Sequence, residues 1–216
     1  MKVVSRISIG ALALAAFAAP AAAQLSGLPA YNYAPAPVGV TVSGMFGKGL
    51  NDASGKTSSV GGMLTYGANM FWVGAGASYF DMSSGGLKAV SFGGNVGVNL
   101  PLGESLPVKV AVVAGLGYMS KSGFKTMTVP AGVTLALKVP ASGMTVVPWI
   151  SPGLRYLRAD AGEGWASTTK FGGSGGISFG LPMGVGFDIA LDYTNVSGGS
   201  PLLFGGGLHY TFKTGG

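Results

Sequence analysis

Five ionisable residues near the end of the chain have types that could do chemistry together: Arg155, Lys170, Asp188, Asp192 and His209, the last being the only histidine in 216 residues. A carboxylate beside an imidazole can orient the ring and favour its protonated form. That pairing is half of a general-base arrangement, and the other half is a nucleophile or an activated water in register with it. Serine and threonine are spread along the whole sequence, so their presence selects no nucleophile. No metal centre is indicated, because there is one histidine, no cysteine and only dispersed acids. No cofactor is expected either. The glycine run FGGSGG at 171–176 lacks the Lys-Ser/Thr pair and the strand-to-helix setting of a phosphate loop.

What the five residues can do depends on the elements that hold them, and composition narrows those sharply. Charged residues make up 9% of the chain, against about 25% in ordinary soluble domains. Glycine accounts for 40 positions. Residues 1–23 have a basic start (Lys2, Arg6), an apolar run and small residues at Ala21 and Ala23, the pattern of a cleaved secretory signal that leaves Gln24 first. Removing Lys2 and Arg6 takes the net charge from +6 to +4. The remaining cations are scattered, which leaves no nucleic-acid footprint. An exported chain without cysteine has no disulfide framework. Beyond residue 23 no apolar run is long enough for a spanning helix. An apolar, sparsely charged exported chain of this kind has one main membrane solution, a closed β-barrel.

The periodicity supplies the strands. Residues 24–37, QLSGLPAYNYAPAP, are Pro-rich and aperiodic and read as a flexible periplasmic lead-in. From Val38 a period of two begins. Ten strands are predicted, near 38–48, 57–68, 71–80, 88–100, 107–119, 124–139, 145–158, 167–181, 185–195 and 203–212. Eight is the alternative if two weak segments are misread, such as 38–48 and 145–158, the latter with its Pro148 and Pro152. The predicted fold is all-β: a closed antiparallel transmembrane barrel in an up-and-down meander over 38–212, with a short tail at 213–216. Both barrel ends fall on the periplasmic side, with turns near 69, 101–106, 140–144 and 182–184, and modest outer loops between.

One face of each strand is Val, Leu, Ile and aromatic; the other is mostly Gly, Ser, Thr, Ala and Asn. The second face is too poor in charge for water and suits a narrow lumen, so the apolar face should meet lipid. The aromatics then form two belts. Phe46, Tyr79, Phe92, Tyr118, Tyr156, Phe171 and Tyr193 lie towards the outer side, and Tyr66, Phe71, Phe179, Phe187, Tyr210 and Phe212 towards the periplasm. Trp72 and Trp149 fall on the lumen face, and Trp165 in an outer loop.

The sequence resembles the small bacterial outer-membrane β-barrels of the OmpA/OmpX and opacity-protein type over residues 38–212, together with the signal segment. Its most specific element is Gly207, Tyr210 and Phe212, which match the spacing of that class's C-terminal assembly signal. Four residues, Lys213 to Gly216, follow Phe212 where the family ends on the aromatic. The resemblance implies the outer membrane of a Gram-negative-type bacterium. It also implies contact with outer-membrane lipid and lipopolysaccharide, and recognition by the barrel-assembly machinery.

Folding the hairpins about their loops brings Arg155 near Lys170 and Asp188 near His209, all on the lumen face. The favoured reading is a charge network that fills and stiffens the lumen, with Asp192 and water compensating Arg155 and Lys170. Selection of ions or small solutes by that charge comes second, and catalysis third. The expected function is a structural or small porin-like barrel. The alternatives are a surface-interaction barrel that binds through its loops, and a barrel hydrolase.

Overall fold

The computed structural model describes residues 25, 27–28, 38–83, 86–101, 107–160, 162, 164–196 and 198–213. The expected signal segment and most of the lead-in and tail lie outside these residues. The strands are β1 (Gly39–Gly49), β2 (Thr57–Gly67), β3 (Phe71–Met82), β4 (Leu87–Asn99), β5 (Val108–Lys121), β6 (Phe124–Leu137), β7 (Val139–Ala141), β8 (Met144–Asp160), β9 (Trp165–Gly180), β10 (Val185–Thr194) and β11 (Leu202–Phe212). Strands adjacent in sequence pair antiparallel, except β6 with β7, and β1 pairs with β11 from Val40↔Phe212 to Gly49↔Leu203. β6 and β7 both pair with β8 and are consecutive pieces of one wall strand. The result is a closed meander barrel of ten strands, not eight.

The predicted strand at 124–139 is therefore interrupted at Lys138. Its amide donates to Pro107 O at 2.8 Å. Pro140, which has no N–H, follows in β7, and β7 pairs only with β8. Prolines also account for breaks elsewhere in the wall. The β5–β6 register runs to Ala114↔Ala131 and resumes at Gly117↔Thr128, skipping Pro130. The β6–β8 register skips from Gly132↔Gly153 to Leu135↔Ile150, past Pro152. A shallow cleft lined by Pro130, Gly132, Pro152 and Gly153 lies at this weak point. β8 nevertheless stays continuous, because its other edge keeps full register with β9 through both Pro148 and Pro152.

Alternation decides which side each residue faces. Val42, Val60, Leu64, Val73, Val96, Ile150 and Leu191 are exposed on the exterior, while Thr41, Ser78, Ser91, Asn95, Thr134 and Ser174 are buried inside. The barrel is inverted relative to a soluble one, with its apolar surface outermost. The outward set includes Phe46, Tyr66, Phe71, Tyr79, Phe92, Tyr118, Tyr156, Phe171, Phe187, Tyr193, Tyr210 and Phe212, with Phe179 half-buried against Phe187 at a ring separation of 4.3 Å. Phe204 joins them and meets Phe46 edge-on at 6.3 Å.

One end of the barrel carries the turns at 68–70, 142–143 and 181–184, the start of β1 and the end of β11. We call it the turn end. The other, the loop end, is tied shut locally. Asn51 caps the 3-10 turn Asp52–Ser54, its Nδ2 donates to Ser200 O at 2.8 Å, and its Oδ1 accepts from Leu202 N at 3.2 Å.

Candidate functional site

Three clusters of buried apolar side chains line the lumen, with charge pairs set among them. At the loop end Phe80, Met82, Ala89 and Met119 pack together with Leu87 and Phe124. Near the turn end Trp72 packs with Ala111 and Val113, its ring lying over Gly97, where a Cβ would overlap it. Between them Met45, Met63, Ala136, Trp149 and Ala190 enclose Leu25 and Leu28.

This middle layer corrects the expectation that residues 24–37 are a flexible periplasmic lead-in. Leu25 and Leu28 are 1% and 0% exposed inside the barrel. Leu28 N donates to Leu25 O at 3.2 Å, and Gly27 has φ +77°, which together make a turn that needs glycine at its third position. Ser59 Oγ donates to Gly27 O at 2.5 Å. The wall is recessed to receive the segment. A Cβ on Gly47 would overlap Gly27 O, and one on Gly61 would sit 2.6 Å from Leu28 Cδ1. A Cβ on Gly76 would sit 3.1 Å from Leu25 Cδ1. Side-chain burial explains the placement: two leucines fill a space that glycine-lined strands leave empty. The remainder of 24–37 lies outside the described residues.

Two charge pairs flank this layer. Asp188 and Asp192 face inward from β10, with Ala190 of the middle layer between them. His209 Nδ1 lies 2.8 Å from Asp188 Oδ2, with both side chains buried. The ring fits because β10 opposes it with Gly186, where a Cβ would strike Nε2. Ser178 lies directly across from Asp188, and its hydroxyl has no hydrogen-bond partner among the described residues. Nearer the loop end, Arg155 Nη1 and Nη2 donate to Asp192 Oδ1 and Oδ2 at 2.7 and 2.6 Å. Nη1 also bonds Thr194 Oγ1. This fork–fork geometry is the strong form of a charge-assisted bond.

The five expected lumen residues thus form two separate pairs and an outlier. Lys170 is the register partner of Arg155 across β8–β9, as folding the hairpin suggested. It is half-buried and has no ion-pair partner among the described residues. Hydroxyl pairs complete the polar lining, Thr41 with Thr211 and Thr134 with Ser151, each at 2.9 Å. Of the residues expected as an assembly signal, Gly207 packs on Met45, where a Cβ would lie 2.7 Å from Cγ. Tyr210 and Phe212 face outward with ring centroids 4.7 Å apart. Trp72 and Trp149 line the lumen as expected. Trp165 does not sit in a loop: it opens β9 and lies under the Arg158 guanidinium at 4.5 Å. Parity along β1 and β2 could have placed Met45 and Met63 inside, but no local pattern marks Leu25 or Leu28.

A barrel with its apolar face outward and a polar-and-packed lumen is an outer-membrane-type β-barrel. The β domain of the Bordetella autotransporter BrkA superposes with a TM-score of 0.55 at 13% identity, covering 82% of this chain and 100% of that one. The translocator domain of the autotransporter NalP from Neisseria meningitidis aligns at 0.44 and 10% identity, covering 82% and 89%. LpxR from Salmonella typhimurium aligns at 0.45 and 11%, covering 80% and 99%. At these identities the likeness is one of fold. No protein-family model and no curated protein sequence matches the chain.

Proposed function

We propose that this chain is a sealed outer-membrane barrel with a structural role, exported on a cleaved signal at 1–23 and inserted with its turn end towards the periplasm. The observation that supports the reading is the set of buried apolar clusters at three heights of the lumen, the middle one built around the chain's own Leu25 and Leu28. A porin-like role needs a continuous water path, and large apolar side chains at each level oppose one. The two pairs then serve as internal braces, each side chain held by its own partner. The loop end supports the same reading, since Asn51 fastens the β1–β2 loop to the start of β11.

The test is single-channel recording of the purified barrel in planar bilayers. Insertion without discrete openings over the full range of applied voltage is expected. Reproducible openings of one size in most insertions would overturn the sealed reading and restore the porin-like one.

A further inference from the structure

We propose that the outer rim formed by the β5–β6 and β8–β9 hairpins is a binding site for the phosphorylated headgroup of an outer-leaflet lipid, with Lys125 and Arg158 as its ligands. Strand parity puts Lys125, Arg158, Asp160, Trp165 and Ser167 all on the outward face at the loop end. Lys125 is the register partner of Asp160 across β6–β8, which makes Arg158 its diagonal neighbour. Diagonal pairs stand about 7–8 Å apart, within reach of long side chains. A phosphate between two such cations accepts from both.

The acid that could occupy them is turned elsewhere. Asp160 Oδ1 accepts from Gly162 N at 2.8 Å and Gly164 N at 3.2 Å, capping its own loop. Glu163, next in that loop, is outside the described residues. The contrast along the rim is Lys88, also outward at the loop end, which is held by Asp81 at 3.0 Å. Lys125 and Arg158 have no such ion pair among the described residues. Arg158 is also preorganised, since its guanidinium rests on the Trp165 ring and leaves its edge free for bidentate donation. Ser167, opposite Arg158 in the β8–β9 register, adds a hydroxyl to the same row. Below it Tyr156 and Phe171 begin the apolar wall, so a bound headgroup would have its acyl chains against hydrocarbon-facing residues.

The occupant is a membrane lipid rather than a soluble anion, because the cations stand on the lipid-facing surface and not in the lumen. The proposal rests on the outer-membrane placement but not on the sealed lumen, since a conducting barrel would leave the rim unchanged.

The barrel is purified in an uncharged maltoside detergent and titrated with a bis-phosphorylated glycolipid, its dephosphorylated form, or inorganic phosphate. Binding is read by native mass spectrometry and by Trp165 emission, Trp72 and Trp149 being buried in the lumen at 3% exposure each. The phosphorylated lipid is expected to bind and shift the emission, and the other two to do neither. Lys125→Gln with Arg158→Gln should weaken binding roughly tenfold or more, and Lys125→Arg should retain it. Heat-modified gel mobility confirms that each variant is folded. Equal binding of the dephosphorylated lipid, a response to inorganic phosphate alone, or unchanged binding by the folded double variant would each overturn the proposal.

Discussion

Arg155 and Asp192 stand on strands that are not neighbours, and their bidentate pair passes over the backbone of Gly172 on β9. A Cβ at position 172 would lie 2.8 Å from both Arg155 Nε and Tyr193 O. The glycine is therefore the gap through which β8 is braced to β10. Gly172→Ala should displace the guanidinium and lower stability. Asp192→Ala should cost more, about 3–5 kcal/mol, because it leaves a buried guanidinium uncompensated. Urea titration of the barrel in detergent, followed by tryptophan emission, measures both. A neutral effect of Asp192→Ala would remove the brace.

The middle layer predicts a cavity series. Leu28→Ala and Leu25→Ala should each destabilise the barrel by about 2–5 kcal/mol, the range for truncating a fully buried leucine. The absence of native cysteine supplies a second readout. A single Leu28→Cys should react slowly with a water-soluble maleimide in the folded barrel. Adding Gly47→Val should speed the reaction many-fold, since a side chain there overlaps the Gly27 carbonyl. Fast labelling of Leu28→Cys alone would show that the segment does not reside in the lumen.

His209 and Asp188 should behave as one unit. His209→Ala leaves a carboxylate buried without its partner and should cost on the order of 1–3 kcal/mol. Introducing Asp188→Asn into that variant should recover part of the loss, the non-additivity expected of residues in direct contact. Additive losses would mean that the two do not interact. Neither substitution should alter any lipid or peptide hydrolysis measured against an empty-membrane background.

At the seam, Phe212 faces outward beside Tyr210 and pairs in register with Val40. Phe212→Ala should lower the fraction of chain recovered as heat-modifiable barrel in the outer membrane several-fold. It should have far less effect on the thermal stability of the barrel that does form. A parallel loss in both would mark Phe212 as an ordinary wall residue.

What is local in the chain is legible in its sequence. The alternation in 88–100, with Val90, Phe92, Val96 and Val98 against Ser91, Asn95 and Gly97, is local, so strand and face could be read from it directly. The pairing of Asp188 with His209 followed from hairpin folding, because the two strands are adjacent. Arg155 with Asp192 was harder, since register places Lys170 and not Asp192 beside Arg155, and the crossing depends on the missing side chain at Gly172. Leu25 and Leu28 were out of reach. The LSGL stretch has no period, and its complement is a recess assembled from Gly47, Gly61 and Gly76 on three strands. The glycines around Trp165 resemble a turn, whereas cross-strand pairing with Asp160 extends β9 to include it.

The β1–β11 seam has a consequence in time. The edge that closes the cylinder joins Val40 to Phe212, the first strand to the last, and Asn51 adds its clasp to Ser200 and Leu202. Until β11 is available, any partly formed sheet presents two unpaired edges with apolar residues along one face, the arrangement most prone to pairing with other chains. Closure therefore waits on delivery of the whole chain, and something must shield those edges throughout. The cell's exposure to misassembly is set less by how stable the finished barrel is than by how long the gap between β1 and β10 stays open.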